Sequence, residues 1–178
     1  FSGSLLANEE MLRNGELTAN MDSWWAAGTA AKFDTQEACM EIANAGSNSW
    51  DVILGQAGVG LEKGQEYSIS FNAYASVETQ FKTLIQHEGP PYTHHFLTDT
   101  VVGTEKQAYS YTFTQENDSD AKTEFQFQMG AQQTGTICVS NVSLKGKPFL
   151  EVDNTSPIRV NQLGFLPKAE KFVFLASD

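Results

Sequence analysis

Apolar and polar residues alternate with a period of two along most of the chain, which is typical of strands that bury one face. Residues 122–130 show the pattern clearly, because Phe125, Phe127 and Met129 share one face and polar residues lie between them. Residues 5–13 come closest to a helical pattern and could form one or two turns. The predicted strands are 39–43, 50–56, 67–75, 79–87, 94–98, 107–115, 122–130 and 136–144.

Turn-forming sequences stand between these strands. Glu-Lys-Gly occupies 62–64, Gly-Pro-Pro occupies 89–91, and Asn-Asp-Ser-Asp occupies 117–120. Glycine, proline and short polar residues adopt the backbone angles that tight turns need. Short strands at regular spacing, joined by such turns, predict an all-β fold: an antiparallel β-sandwich.

The alternating pattern ends near residue 148, so the sandwich domain is predicted over 1–148. Residues 149–157 are acidic and end at a proline, and we assign them to a linker. Strand-like pieces return within 158–178, but about twenty residues cannot bury a core of their own. This segment must pack on the sandwich, pack on a second copy of the chain, or begin a further domain.

Composition narrows the class of ligand. The 11 Lys and Arg against 22 Asp and Glu give a formal net charge of −11, which disfavours nucleic acid and membrane partners. Only 19% of residues are charged, whereas Asn, Gln, Ser and Thr number 10, 12, 14 and 15. Amides and hydroxyls pair with neutral polyols without the cost of desolvating a charge. The surface therefore favours a neutral ligand.

The polar side of the strand at 122–130 is the most informative feature for function. Glu124, Gln126 and Gln128 form a row on the face opposite the aromatic residues. An amide both donates and accepts hydrogen bonds, so such a row can pair with sugar hydroxyls. The alternative is a sheet face that simply meets solvent.

Aromatic rings supply the other half of sugar recognition, because they stack on the C–H face of a pyranose. Tyr92 follows the rigid Gly-Pro-Pro turn, which suits a ring held at the rim of a groove. At least one tryptophan is expected in the core instead. The candidate rings are Trp24, Trp25, Trp50, Tyr74 and Tyr92.

Motifs for catalysis or metal binding are absent or weak. The sequence has no nucleophile elbow, phosphate loop or dinucleotide fingerprint. His94 and His95 point to opposite faces of a strand, so a metal site would need His87 with one of them. Solvated or ligand-facing imidazole is the alternative. Cys39 and Cys138 are either two buried thiols or one long-range disulfide.

Residues from about 10 to 147 resemble carbohydrate-binding modules of family 4 and its close relatives. The tail at 157–167 is similar to the first strand of the immunoglobulin-like domain that precedes family 9 glycoside hydrolase catalytic domains. The stretches that carry the main resemblance are Asn14-Gly15 with Trp24, Trp50–Leu54, Leu61–Ala75, Gln86–Tyr92, Phe125–Gly130 and Val139–Leu144.

This resemblance implies a jelly-roll sandwich with a groove on one concave face. The groove would bind a single β-glucan chain of amorphous cellulose, a cello-oligosaccharide or mixed-linkage glucan. The module would not be catalytic. It would target a secreted bacterial family 9 cellulase, with the downstream immunoglobulin-like and catalytic domains as its partners in the same chain. The alternatives are a protein-interaction sandwich and a jelly-roll glycosidase.

The resemblance also implies the groove residues. It matches groove aromatics to Trp50 and Tyr92, and it places Trp25 beside a position, Ala27, where some relatives carry a groove tyrosine. Glu88 and Glu124 stand where relatives often carry amides. The predicted carbohydrate-binding residues are Trp25, Trp50, Lys82, Gln86, Glu88, Tyr92, Glu124, Gln126 and Gln128.

The cysteines and a calcium ion complete the expectations from the family. Cys39 and Cys138 match positions that form a disulfide in some members. A structural calcium is frequent where the early Asn-Gly region meets the last strand, with Glu16 as the candidate ligand here. This chain has Ser140-Asn141 where relatives carry an aspartate. Calcium prefers carboxylate oxygens, so the missing aspartate weakens the expectation of a bound ion. The sequence leaves open whether calcium is bound.

Overall fold

The computed structural model of the 178-residue chain describes residues 8–17, 22–34 and 36–150. Within these residues the secondary structure is eleven β-strands and one 3₁₀-helix, Ser49–Asp51. The strands are β1 (Glu9–Glu10), β2 (Trp25–Ala27), β3 (Ala31–Asp34), β4 (Glu37–Ile42), β5 (Ile53–Ala57), β6 (Glu66–Ala75), β7 (Thr79–His87), β8 (His94–Val102), β9 (Gln107–Thr114), β10 (Thr123–Gln128) and β11 (Gly135–Gly146).

The strands form two antiparallel sheets, which confirms the predicted all-β jelly-roll sandwich. One sheet has the order β3-β4-β11-β6-β9, with β1 paired to β11. The other has the order β2-β5-β10-β7-β8. The chain passes back and forth between the sheets, so that strands distant in sequence become neighbours. Among the described residues, no helix is long and apolar enough to cross a membrane.

The core lies between the two sheets and is rich in aromatic rings. Phe71 on β6 contacts Phe127 on β10, with ring centroids 4.9 Å apart in an edge-to-face arrangement. Phe81 on β7 and Phe125 also contact Phe127, at 5.4 Å and 4.9 Å. Edge-to-face packing adds attraction beyond the burial of apolar area. These rings therefore join the two sheets and fix which face of β10 points inward.

All eight predicted strands are present, but the start of the strand predicted at 50–56 and the helical turn predicted within 5–13 are wrong. Residues 49–51 form a 3₁₀-helix instead of the start of a strand, because the Asp51 carboxylate accepts the backbone N–H groups of Ser47 and Asn48, at 2.7 Å and 2.9 Å. The helical turn predicted within 5–13 is also wrong in its described part. Glu9–Glu10 is a strand that pairs with β11. Residues 5–7 lie outside the described residues.

The chain beyond β11 stays against the sandwich. Tyr67 Oη donates to the backbone oxygen of Lys147 at 2.8 Å, and the N–H of Phe149 donates to the oxygen of Gly60 at 3.0 Å. Contacts with the sandwich thus extend to Phe149. The predicted segment 158–178 lies outside the described residues.

The predicted disulfide is present. Cys39 on β4 and Cys138 on β11 are direct cross-strand partners with Cα atoms 4.1 Å apart. The bond joins residues 99 positions apart in sequence, so it restricts the unfolded chain strongly.

Removal of the disulfide should destabilise the domain. We expect Cys39→Ala combined with Cys138→Ala to lower the free energy of unfolding by about 2–5 kcal/mol, because the unfolded chain regains its loop entropy. Urea unfolding followed by tryptophan fluorescence measures the difference. The wild-type protein under reducing conditions is the control and should lose a similar amount. Equal midpoints for all three samples would contradict this account.

Candidate functional site

An open groove of about 760 Å³ lies on the outer face of the five-stranded sheet. Its floor comes from β5, β10, β7 and β8, and its sides come from β2, the 3₁₀-helix and the loop between β7 and β8. The residues that line the groove are Trp25, Ser49, Trp50, Ile53, Lys82, Leu84, Gln86, Pro91, Tyr92, His94, Leu97, Glu124, Gln126 and Gln128.

Strand β10 runs through the middle of the floor, between β5 and β7. Glu124, Gln126 and Gln128 alternate with inward aromatic residues and point into the groove, as predicted. Gln126 lies between Gly55 of β5 and Leu84 of β7 in the register of the sheet. At about 3.3 Å per residue, the row is about 13 Å long.

The three side chains of the row are buried, although they stand on the outward face of a sheet. Their exposed fractions are 8%, 2% and 6%, and Gln86 beside them is 6% exposed. The alternative of an ordinary solvent-facing surface is therefore wrong. Buried polar groups must find partners, and here they find one another.

A chain of hydrogen bonds runs along the floor. Ser49 Oγ donates to Gln128 Oε1 at 2.7 Å, and Gln128 Nε2 donates to Gln126 Oε1 at 2.8 Å. At the other end of the row, Gln86 Nε2 donates to Glu124 Oε1 at 3.1 Å. The Glu124 carboxylate is an acceptor here, which sets the direction of the Gln86 amide. A primary amide has two N–H groups, so capacity for a ligand remains.

Trp25 lies flat against the floor because its neighbour is a glycine. Trp25 and Gly55 are cross-strand partners on β2 and β5. A Cβ atom at residue 55 would lie 2.7 Å from Cζ2 of the indole, closer than such contacts allow. The missing side chain therefore makes room for the ring, whose face is partly exposed to the groove.

Two exposed rings stand at opposite ends of the row. Trp50, in the 3₁₀-helix beside Gln128, is 61% exposed. Tyr92 is 53% exposed and lies in the loop after β7, at the Glu124 end of the row. Exposed large aromatic side chains bordering a groove are typical of a binding surface. The groove thus has a polar floor, with an aromatic ring at each end.

The charged side chains that line the groove differ in their burial. Burial raises the pKa of Glu124, and the nearby charge of Glu88 adds to this, against the hydrogen bonds from Gln86 and Gln126. Lys82 is partly exposed and pairs with Asp99 on β8 at 2.8 Å. Glu124 is therefore the groove's buried titratable carboxyl.

The structure brings every predicted carbohydrate-binding residue into the lining of the groove except Glu88. Glu88 is exposed in the loop after β7 and acts on the groove through its charge on Glu124. Of the other candidate rings, Trp24 is 5% exposed in the core, and Tyr74 is on the six-stranded sheet. Six further residues line the groove and were not among the predicted binding residues: Ser49, Ile53, Leu84, Pro91, His94 and Leu97.

Two of these residues could have been predicted from the alternation of side chains along a strand. Leu84 shares its face of β7 with Lys82 and Gln86, both of which were predicted. His94 faces the groove and His95 does not, as adjacent residues of a strand should. Ser49 carried no such signal, because its place depends on the turn that Asp51 makes.

Within the described part of the chain, the only group of three His, Cys, Asp or Glu side chains with suitable spacing is Glu37, Cys39 and Cys138, and its cysteines form the disulfide. Glu16 is exposed and belongs to no such group. Calcium binding at Glu16 stays a prediction, and a rise in melting temperature on adding calcium to chelator-treated protein would support it.

A β-sandwich with an open groove, floored by amides and bordered by aromatic rings, defines a ligand-binding module. The chain belongs to the carbohydrate binding domain family that includes module families 4 and 9, which matches residues 9–136. Domains of this family are non-catalytic, so the chain is a carbohydrate-binding module and not an enzyme.

Comparison with curated proteins finds two cellulose-related enzymes. Endoglucanase C of Cellulomonas fimi is 27% identical over 95% of this chain. Cellulose 1,4-β-cellobiosidase of Acetivibrio thermocellus is 27% identical over 78% of it. The matches span only 16% and 17% of those proteins' own lengths. The likeness is thus to one domain of each.

Solved structures show the same fold. A CBM4 structure has a TM-score of 0.68 at 23% identity, covering 75% of this chain and 98% of its own. The second N-terminal cellulose-binding domain of Cellulomonas fimi β-1,4-glucanase C has a TM-score of 0.67 at 25% identity, covering 83% of this chain and all of its own.

The raised pKa of Glu124 predicts how stability depends on pH. A folded-state pKa above the unfolded value means that the folded protein holds this proton more tightly. The stability that this proton contributes is therefore present at low pH and is lost as the pH rises through the raised pKa of the folded state. Replacement by Gln removes the titration. We therefore expect the stability of Glu124→Gln relative to wild type to increase as the pH rises above about 4.3, the ordinary pKa of glutamate.

Urea unfolding at several pH values measures this difference. Glu66→Gln, which changes an exposed glutamate at the start of β6, is the control. Its difference from wild type should vary less with pH than that of Glu124→Gln. Parallel pH profiles for wild type and Glu124→Gln would show that burial does not perturb this carboxyl.

Proposed function

We propose that the groove binds a single β-glucan chain: amorphous cellulose, a cello-oligosaccharide or mixed-linkage glucan. The observation that carries this proposal is the buried, hydrogen-bonded row of Glu124, Gln126 and Gln128 with an exposed ring at each end. The row offers paired donors and acceptors to ring hydroxyls, while Trp50 and Tyr92 offer faces for stacking.

The rigidity of the polar row supports this function. Binding of a ligand hydroxyl costs less conformational entropy when the side chains that contact it are already ordered. Gln128 and Gln126 are each held by a neighbour, and Glu124 accepts from the Gln86 amide. An open groove with a polar floor suits a separated, soluble chain better than the flat face of a crystalline polymer.

The role in the parent protein follows from attachment. A module joined to a hydrolase by a short connection raises the local concentration of the substrate chain at the enzyme. We propose that the parent is a family 9 cellulase, with an immunoglobulin-like domain after residue 157. The names of the two curated relatives and the resemblance of residues 157–167 support this assignment.

An extracellular location in a bacterium belongs to the same proposal. The disulfide between Cys39 and Cys138 supports it, because such bonds persist in oxidising compartments. An insoluble polymer is also too large to be met inside a cell.

Affinity electrophoresis against a panel of glucans tests the proposal directly. We expect retardation of the protein in gels that contain hydroxyethyl cellulose or mixed-linkage β-glucan, and weaker retardation with xylan and laminarin. Bovine serum albumin serves as the non-binding control. Unchanged mobility in every gel would refute glucan binding by this chain.

Substitutions in the groove test which residues carry binding. We expect Tyr92→Ala and Gln128→Ala each to weaken binding of cellohexaose by at least about 1–2 kcal/mol, because one loses a stacking face and the other a hydrogen-bonding group. Isothermal titration calorimetry measures the affinity. The matched controls are Tyr74→Ala and Gln107→Ala on the six-stranded sheet, which should bind as wild type does. Normal affinity in both groove variants would remove this groove as the site.

A further inference from the structure

The loop that carries Tyr92 is short and closed at its base. It joins β7, which ends at His87, to β8, which begins at His94. The N–H of His87 donates to the oxygen of Thr93 at 2.9 Å, and the N–H of Tyr92 donates to the oxygen of Gly89 at 2.8 Å. The loop that carries the aromatic ring at this end of the groove is therefore closed by backbone hydrogen bonds.

The backbone of Tyr92 is in an unfavourable conformation. Its φ is 56°, in the left-handed region that non-glycine residues adopt uncommonly. Such a conformation persists only where the surroundings hold it. The ring itself is 53% exposed and cannot supply that support by burial. The support for this backbone conformation must therefore come from the rest of the loop and from contacts at its base.

One carboxylate, Asp120, lies at that base and contacts both strands that emerge from the loop. Its Oδ2 atom lies 2.7 Å from Nδ1 of His87 and 3.0 Å from Nε2 of His95. His95 is only 4% exposed, and Asp120 is 16% exposed. Burial raises the pKa of the Asp120 carboxyl, but the His87 ring, the Lys122 amide and the His95 ring together hold it below its usual value. Asp120 is thus an ionised acceptor between two rings.

The second oxygen of Asp120 accepts a hydrogen bond from the backbone two residues further along its own segment. Oδ1 accepts the N–H of Lys122 at 2.9 Å, and the oxygen of Lys122 in turn accepts the N–H of Glu88 at 2.8 Å. Glu88 is the first residue of the loop. The same carboxylate therefore supports the loop from its first strand, from its second strand and through its backbone.

The hydrogen bonds around His95 determine which of its ring nitrogens carries the proton, and so which one donates to Asp120. Gln115 Nε2 lies 2.8 Å from Nδ1 of His95 and also donates to the backbone oxygen of Asp118 at 3.0 Å. An amide nitrogen only donates, so Nδ1 accepts and the ring carries its proton on Nε2. That proton points to Asp120. Gln115 is fully buried, which fixes the orientation of the imidazole.

We propose that Asp120 is a positioning residue for carbohydrate binding: through His87, His95 and Lys122 it holds the loop that presents Tyr92 to the groove. It touches no ligand itself, since it lies outside the lining of the groove. This inference rests on the proposed function only for its effect on affinity, because the support of the loop is a property of the free protein.

Two measurements on Asp120→Asn test the proposal. Hydrogen exchange should show protection of the backbone N–H groups of Glu88 and Tyr92 reduced by about tenfold or more, because the base of the loop has lost its charged acceptor. Calorimetry should show cellohexaose affinity reduced by about three- to tenfold, because Tyr92 is no longer held in place before binding. Asp118→Asn, two residues away and paired with Lys63 instead, is the matched control and should change neither quantity.

A double-mutant cycle distinguishes positioning from a general loss of structure. In the Tyr92→Ala background, Asp120→Asn should change affinity by less than about twofold, because the ring on which it acts is gone. A merely destabilising role would reduce affinity by the same factor in both backgrounds and would overturn the proposal. His87→Ala removes one of the two rings and keeps Asp120, so it gives the same test if Asp120→Asn does not fold.

Failure of glucan binding and failure of this inference are separable. If wild type binds no glucan, the proposed function fails, and hydrogen exchange alone decides the role of Asp120. Unchanged exchange at Glu88 and Tyr92 in folded Asp120→Asn and His87→Ala would overturn the inference whatever the ligand.

Discussion

The aromatic contacts of β10 determine both the core and the groove. The Phe127 ring lies 4.9 Å from the rings of Phe71 and Phe125, and these contacts hold one face of the strand between the sheets. Because successive side chains of a strand point to opposite sides, the same contacts place Gln126 and Gln128 in the groove. A shift of one residue would exchange the two faces and destroy core and groove together. Packing of the core therefore also positions the side chains that line the groove.

The groove floor is itself buried, and this has an energetic consequence. Desolvating amides and a carboxylate costs free energy unless they are paired, and each of these side chains is paired with a neighbour. The result is a polar surface that is ordered before a ligand arrives. Ordering of this kind favours specificity for a ligand whose hydroxyls match the row, since mismatched groups would be left unpaired. Glu124 adds direction, because it can only accept while it is ionised.

Alternation in the sequence predicted the strands and the row on β10, since that signal depends only on the geometry of an extended chain. It did not predict that the row is buried and paired, because its partners Gln86 and Ser49 lie on other elements. It also left Trp24 and Trp25 undistinguished. They lie next to each other where β2 is only three residues long, too short for a periodic signal.

The local pattern of the sequence thus determined the fold class, the inward face of β10 and the residue types that make sugar binding a reasonable function. Cysteine spacing alone left the disulfide open, and the family resemblance favoured the pairing that β4 and β11 bring together. Tertiary structure decided what depends on contacts between segments distant in sequence: which tryptophan lies over Gly55, how the amides are oriented, and which carboxylate supports the Tyr92 loop. Asp120 shows the reason. In sequence it is one acidic residue of a polar turn, and its role arises only where three separate segments meet.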